Sequence, residues 1–196
     1  MSLKQTPSQT VGPYFAYGLA PTQYGYPMKS IAGGQMAPSD TEGERVRIEG
    51  VVYDGEGTPI FDALIELWQA DAGGRYAHPA DTRGPNSGFK GFGRQGTGTD
   101  PERRFIFDTI KPGCVDGMQA PHINVIVLMR GMLLHAYTRI YFSDEAAANA
   151  KDPVLASVPA ERRQTLIAAR TPTPAGIVYR FDIHMQGAKE TVFFDA

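Results

Sequence analysis

One short apolar stretch carries two polar side chains whose types and spacing could do metal chemistry. Residues 120–127 read APHINVIV, with His122 and Asn124 two positions apart. Side chains two apart on a β-strand point to the same face, so the pattern predicts that both residues look into one pocket. A pair of histidines at this spacing would make a plausible metal clip, because imidazole is a good ligand for transition metals. The second residue here is an amide, so the chain keeps only half of such a clip.

Three further histidines and one tyrosine are the remaining candidates for metal chemistry. His78 follows Tyr76 by two residues in a glycine-rich segment, so the pair could meet a metal, although a solvent-exposed loop histidine is the favoured interpretation. His135 and His184 lie in alternating segments, where a structural or solvated histidine is the ordinary outcome, and neither is given a role. The sequence contains no HExxH, CxxC, GxSxG or P-loop motif, and no GxGxxG between a strand and a helix. The common hydrolase and nucleotide-binding signatures are therefore absent.

Composition limits the class of protein. A chain of 196 residues with 42% hydrophobic residues can bury a sizeable core, and no shift in composition divides it. We expect an arm over residues 1–44 and a single β-sandwich domain over residues 45–196. A net charge of -2 without a basic stripe argues against nucleic acid, and no apolar run approaches the ~20 residues that cross a bilayer. The lone Cys114 cannot form an internal disulfide, and the N-terminal sequence lacks a signal-peptide pattern, so a cytoplasmic location is expected.

Alternating and apolar segments predict the strands that must position these side chains. Residues 121–142 form the clearest hairpin, with a tight turn at Arg130 and Gly131. Two strands joined by a tight DGEGTP connection precede a long glycine-rich loop at residues 73–99, which is typical of a functional or interfacial segment. The other predicted strands fall at residues 45–54, 63–70, 104–113, 177–186 and 190–196. Several short strands in hairpins predict a mainly β fold, a β-sandwich.

Two short helices and an N-terminal arm complete the prediction. The segment SDEAAANAKDP offers Ser143 or Asp144 as an N-cap and its final proline as a stop, and a second helix is expected over residues 159–170. The first 44 residues are rich in proline, glycine and aromatic residues and show no periodicity, so we expect an extended arm that packs on something. Packing on its own domain and packing on a partner chain are equally open alternatives.

Several longer stretches together resemble the intradiol ring-cleaving dioxygenases. They are ELWQADAGGRYAH, GFGRQGTGTD, RRFIFDTIKPG, APHINVIV and HAYTRIYFSDEAAANAKDPVL, and they extend over nearly the whole chain. In that family a β-sandwich holds a non-haem ferric ion with two tyrosinates and two histidines, and dioxygen opens a catechol ring between its hydroxyl-bearing carbons. The resemblance implies an intradiol-dioxygenase-like β-sandwich with a short helical excursion.

The iron ligands that the resemblance implies are mostly missing from this chain. The histidine pair corresponds to His122 and Asn124, and the tyrosine expected two residues after the glycine of K-P-G is Val115. Ferric iron needs anionic oxygen donors, which valine and a neutral amide do not supply. The resemblance therefore implies that Val115, His122 and Asn124 are degenerate ligand positions and that this chain holds no metal. We expect His122 to hydrogen-bond to neighbours such as Asn124.

Two more family positions differ. The second tyrosine belongs around Thr82 and Arg83, where this chain has none. The arginine that family members place three residues before the first histidine, where it steadies the oxidised substrate, is Gln119 here.

Some members of the family are built from two similar chains, alpha and beta, and the pattern of losses resembles the alpha chain. The resemblance implies a beta-chain partner in an alpha/beta hetero-oligomer, with the ferric iron in that partner, no catalytic residue on this chain and an aromatic substrate at the shared interface. The alpha arm reaches the partner's active site through a T-x-G-P-Y motif, here Thr10, Gly12, Pro13 and Tyr14. Arg130, in the hairpin turn, is the other candidate, because its guanidinium suits a substrate carboxylate.

Two alternatives remain open. The chain could be an autonomous metalloenzyme that uses Tyr76, His78 and His122 as an unusual ligand set. It could also be a non-enzymatic binding module that reuses the same sandwich.

Overall fold

The described part of the chain forms nine strands, eight of them hydrogen-bonded in one continuous order whose two ends belong to facing layers. The computed structural model describes residues 10–12, 14–83 and 88–195. In chain order the strands are β1 (Arg45–Tyr53), β2 (Leu64–Gln69), β3 (Phe92–Gly96), β4 (Arg104–Ile110), β5 (His122–Leu128), β6 (Ala136–Phe142), β7 (Ile167–Thr173), β8 (Gly176–Arg180) and β9 (Ile183–His184). The helices are α1 (Phe15–Leu19), α2 (Ala146–Asn149) and α3 (Pro153–Ser157), with a 3-10 turn at Arg163–Leu166.

Strand β7 joins the two layers. The strand order is β3-β2-β5-β6-β7-β8-β1-β4, and β9 pairs with β1. Ile167 and Ala168, at the start of β7, pair with β6, and the rest of β7 pairs with β8. One layer is therefore β3-β2-β5-β6, and the other contains β8, β1 and β4. The predicted mainly β architecture is confirmed, and the path is nearly closed in the manner of a barrel.

The layers are held together by apolar side chains that alternate along the strands. On β4, Phe105 and Phe107 are fully buried while their neighbours are only partly so. Full burial of such a side chain contributes roughly 1.5–3 kcal/mol relative to exposure. The main core also contains Ile48 and Val52 of β1, Ile65 and Leu67 of β2, Val125 and Val127 of β5, Ile140 and Phe142 of β6, and Tyr179 of β8.

Two predicted strand connections differ from the structure. The turn after β1 forms, since Gly57 N–H donates to the Asp54 carbonyl, but β1 pairs with β4, β8 and β9 whereas β2 pairs with β3 and β5. Both strands predicted around this connection are therefore present, but they do not pair with each other. The glycine-rich loop predicted at residues 73–99 contains β3, because its backbone pairs with β2 from Phe92 to Gly96. Sheet pairing here overrides the low strand propensity of glycine.

The predicted cap of the first helix is also wrong. Glu145 occupies the N-cap of α2, and its side chain makes no capping hydrogen bond. Asp144 instead lies 2.8 Å from the Lys111 ammonium and accepts a hydrogen bond from the Tyr179 hydroxyl. These tertiary partners hold the carboxylate away from the helix start. Asp144 thus ties the helical excursion to the sandwich.

Pro153 begins a helix where we expected it to end one. It is the first residue of α3, where a missing N–H costs nothing, and Asp152 caps the helix by accepting from Leu155 N–H at 2.7 Å. The second predicted helix, at residues 159–170, shrinks to the 3-10 turn before β7, which runs on through Pro172. No helix in the described part of the chain is long or apolar enough to span a membrane.

The described part of the N-terminal arm packs on its own sandwich. It contains the short helix α1, which was not predicted, and Ala16 and Ala20 are buried there against Leu64 of β2. Met36 enters the main core, and Gln35 forms a bridge to Asp108 of β4. These residues of the arm thus contact their own domain.

Candidate functional site

A loop after β2 is pressed against the segment that leads into β5. Gly74 has a φ of +75°, and a Cβ there would lie 1.9 Å from the Cys114 carbonyl oxygen, so only glycine fits. Asp71 fastens the same loop, because its carboxylate accepts from Gly73 N–H and from Arg75 N–H. This close approach brings the side chain that follows, Tyr76, over the start of β5.

Tyr76 reaches the two polar residues of β5. Its ring stacks on Trp68 with centroids 5.7 Å apart, and its hydroxyl lies 3.4 Å from His122 Nε2. Asn124 Nδ2 donates to the same hydroxyl at 3.2 Å. The prediction that His122 and Asn124 face one pocket is supported, since both contact one phenol. His78 is exposed, and its Nδ1 accepts a hydrogen bond from Ala80 N–H in its own loop.

The structure defines the protonation of His122. Its Nδ1 lies 2.8 Å from the Ala120 carbonyl oxygen, which can only accept, so Nδ1 carries the hydrogen and Nε2 presents a lone pair to the Tyr76 hydroxyl. Burial lowers the pKa of His122, and the nearby Arg139 charge lowers it further, so the ring is neutral at neutral pH. The expected hydrogen bond between His122 and Asn124 is not formed. The Tyr76 hydroxyl stands between them.

Arg139 brings a positive charge into this site from the neighbouring strand. It lies directly opposite Asn124 in the β5–β6 register, and its Nε donates to Asn124 Oδ1 at 3.1 Å. Its Nη1 donates to Gln119 Oε1 at 2.8 Å. Sequence reasoning missed this residue. The alternation of β6 could have shown its face, but not the strand register that sets its partner.

Ferric iron does not fit these residues. The Tyr76 hydroxyl is already hydrogen-bonded to His122 and Asn124, and burial raises its pKa, which disfavours a phenolate. Val115 lies in a short bridge with Gln119 and has no donor atom in its side chain. The side-chain oxygen of Asn124 is already bound to the Arg139 cation, which would repel a trivalent ion. Within residues 10–12, 14–83 and 88–195, no three His, Cys, Asp or Glu side chains form a metal-holding group.

The candidate substrate-binding residues lie at one edge of the molecule. Thr10 Oγ1 accepts from Gly131 N–H at 3.2 Å, so the described start of the arm meets the turn between β5 and β6. Arg130, beside it in that turn, forms an ion pair through Nε with Asp62 and stacks over the Phe61 ring at 5.4 Å. Arg130 is thus a paired residue, although 51% of its side chain remains exposed.

The arm's motif is only partly described. Tyr14 is 79% exposed, and Gly12 has an open side, with nothing within 4 Å of a Cβ placed there. Pro13 lies outside the described residues. Roles of Thr10, Gly12, Tyr14 and Arg130 toward a substrate therefore stay predictions.

The remaining histidines have local partners. His184 stacks on Tyr53 with centroids 4.9 Å apart, and His135 contacts the Tyr137 hydroxyl. Both have structural contacts, as expected for residues given no role.

Comparison with known proteins places the chain in a family. A family model described as Dioxygenase matches residues 11–187, and the chain belongs to the intradiol dioxygenase family. It is 57% identical over 195 residues to the protocatechuate 3,4-dioxygenase alpha chain of Burkholderia cepacia, covering 99% of this chain and 98% of that one. It is 31% identical over 192 residues to the protocatechuate 3,4-dioxygenase beta chain of the same species, covering 91% of this chain and 77% of that one.

A solved structure shares the fold. It is the dioxygenase domain of a dioxygenase carbohydrate-binding protein fusion from Streptomyces sp. SirexAA-E, which aligns with a TM-score of 0.59 at 22% identity. The alignment covers 93% of this chain and 100% of that chain. The family implies iron, and the residues at the corresponding positions here, Val115 and Asn124, do not supply the anionic donors that ferric iron needs.

Proposed function

We propose that this chain is the alpha subunit of a protocatechuate 3,4-dioxygenase. In this proposal an alpha/beta hetero-oligomer opens protocatechuate with O2 between its two hydroxyl-bearing carbons and releases 3-carboxy-cis,cis-muconate. The beta chain holds the ferric iron, and this chain supplies scaffold and one wall of the substrate pocket. Alone, it is inactive.

One observation carries the proposal: the position of the second iron-binding histidine is Asn124, and its oxygen is bound by the Arg139 guanidinium. A family member with a cation in place of a metal needs its iron from elsewhere. Full-length similarity to an alpha chain, together with weaker similarity to a beta chain, supports a second chain as that source.

The edge formed by the arm and the β5–β6 turn is our candidate for the shared wall. The contact of Thr10 with Gly131 holds the arm beside Arg130, and Tyr14 projects from it with most of its ring exposed. An exposed aromatic ring on the arm and a guanidinium in the turn suit a substrate with a catechol ring and a carboxylate. Gly12 and Pro13 would set the path of the arm across the partner.

The proposal is tested by reconstitution. This chain is expressed alone, a beta chain is expressed alone, and the two are co-expressed and purified together. We expect co-purification in equal amounts and oxygen uptake with protocatechuate from the pair, with none from this chain. A well-behaved chain that never associates with any beta chain, or a pair that leaves protocatechuate unchanged, would refute the proposal.

A further inference from the structure

The outer face of the β3-β2-β5-β6 layer carries an aromatic row that ends in an arginine. Strand register pairs Phe92 with Trp68, Trp68 with Asn124 and Asn124 with Arg139, so the four side chains follow one another across four strands. None of the four is fully exposed. The outer face of an antiparallel sheet is ordinarily polar, so the two large aromatic rings in this row are a feature that ligand binding would explain.

This row forms one wall of a cavity of about 620 Å³, which we call the outer-face pocket. Tyr137 and Phe194 add two more aromatic side chains, and Val154 of α3 closes one side. Pockets for small molecules have volumes of about 300–1,000 Å³ and are mostly apolar with a few polar groups that orient the ligand. In the outer-face pocket, the charged group available for this is Arg139.

The charge of Arg139 has only neutral partners. Its Nε and Nη1 bind the amide oxygens of Asn124 and Gln119, and Nη1 also lies 3.5 Å from the Tyr141 hydroxyl. Within the described part of the chain, no carboxylate forms an ion pair with Arg139 and its Nη2 has no hydrogen-bond partner. A half-buried guanidinium held by neutral groups retains its attraction for an anion.

We propose that the outer-face pocket binds a small aromatic carboxylate, with the carboxylate on the Arg139 guanidinium and the ring among Trp68, Phe92 and Tyr137. Nε and Nη1 are engaged, so Nη2 is the group that offers donors to the carboxylate, and the aromatic walls favour a flat ring by offset or edge contacts. A single arginine among apolar walls suits one negative group on a hydrophobic body better than a polyphosphate or a sugar. The positive charge also excludes metal ions and amines.

The inference is independent of the proposed function, since its readout is binding and not turnover. Equilibrium dialysis measures 4-fluorobenzoate bound to the full chain, together with its partner where one co-purifies. We expect one molecule of 4-fluorobenzoate bound per copy of this chain. Arg139→Gln should weaken this binding by roughly tenfold or more, so that the bound molecule is no longer detected. The neutral analogue 4-fluorobenzamide should bind at least roughly tenfold more weakly than the acid, because it lacks the charge that pairs with the guanidinium. Lys151→Gln, which removes an exposed charge elsewhere, should change nothing.

A second variant guards against misfolding of the first. Val154→Phe narrows the pocket from α3 without touching the sheet, and should also remove this binding. Trp68 is the only tryptophan of the chain, so its fluorescence should change when a ligand enters the pocket. The part of this change that is lost in Trp68→Phe comes from the pocket. Binding that survives both Arg139→Gln and Val154→Phe would overturn the proposal. Equal affinity for 4-fluorobenzamide and 4-fluorobenzoate would also overturn it. So would the absence of bound 4-fluorobenzoate because a partner segment covers the pocket.

Discussion

At the scale of single residues, the site is defined by the replacement of a metal with a network of side chains. The neutral His122, the protonated Tyr76 and Asn124 form a chain of hydrogen bonds, and Arg139 supplies the positive charge. Such a network satisfies buried polar groups without an ion. The network gives His122 a structural role, because its two ring nitrogens have hydrogen-bond partners in Ala120 and Tyr76 without any iron.

Arg130 gives the first test at this scale. Arg130→Ala in the assembled pair should lower kcat/KM for the anionic substrate by roughly tenfold, because a charge-assisted contact contributes about 1.5–3 kcal/mol. The loss should be larger at low salt, where electrostatic attraction is least screened. Steady-state oxygen uptake at several ionic strengths measures this, with Lys151→Ala as the control. A loss that is the same at all ionic strengths would contradict guidance by charge.

Tyr14 gives the second. Tyr14→Ala should leave folding unchanged, because the side chain is 79% exposed, while lowering kcat/KM of the pair several-fold, about 1 kcal/mol for one aromatic contact. The matched control is Tyr26→Ala, which removes a second exposed ring that, like Tyr14, contacts Tyr17. If kinetics in the properly assembled pair do not change, Tyr14 contributes only packing.

At the scale of elements, the sequence predicted which face of a strand a side chain occupies better than it predicted which residue lies opposite on the next strand. Alternation in β5 and β6 gave the correct side for His122 and Asn124, since side-chain direction follows from the backbone period alone. The predicted turn at Arg130 and Gly131 forms, but it lies within a longer connection, residues 129–135, so the register that pairs Asn124 with Arg139 could not be read from it. Register depends on loop length and on the packing of both layers.

Helices were predicted least well, because tertiary contacts decide their ends. Asp152 was not identified as a cap, yet it is fully buried and accepts from Leu155 N–H, Ala120 N–H and the Tyr141 hydroxyl. Nothing local in the sequence joins position 152 to position 120. Only the fold brings the start of α3 beside the segment that leads into β5.

Asp152→Ala should therefore lower the free energy of unfolding by more than the loss of an ordinary helix cap does. Loss of the cap together with two buried donors left without an acceptor should lower the free energy of unfolding by about 2–4 kcal/mol. Urea unfolding measures the change, and Ser157→Ala, at the exposed end of the same helix, should have little effect. A difference below about 0.5 kcal/mol would show that water replaces these hydrogen bonds.

The attachment of the arm to β4 should be sensitive to acid. The hydrogen bond from Arg47 holds the pKa of Asp108 below its usual 3.8, and Gln35 of the arm also donates to this carboxylate. Because the folded pKa is depressed, the stabilisation is present above pH 3.8 and is lost as the pH falls through the lower folded value. Asp108→Asn should lower thermal stability at neutral pH and flatten its decline in acid. The control is Asp40→Asn, at an exposed position. If thermal stability falls with pH in parallel for Asp108→Asn and the unchanged chain, Asp108 does not have this role.

At the scale of the whole molecule, the chain keeps the fold of its family although its residues do not fit ferric iron. The fold class could be predicted from short alternating strands, because binary pattern decides layers. The order β3-β2-β5-β6-β7-β8-β1-β4 could not, since β1 and β2 separate into different layers despite their short connection. The missing ligands at Val115 and Asn124 were visible in the sequence. The cation that fills the site became visible only when the strands were paired.

The most direct measurement is the iron content of the purified chain and of its complex with a beta chain. We expect no bound iron in this chain by itself, even after incubation with ferric salt, and one iron for each alpha/beta pair. Metal analysis combined with the visible absorption of tyrosinate-bound ferric iron gives both numbers. One tightly bound iron for each copy of this chain, alone or in the complex, would contradict the account.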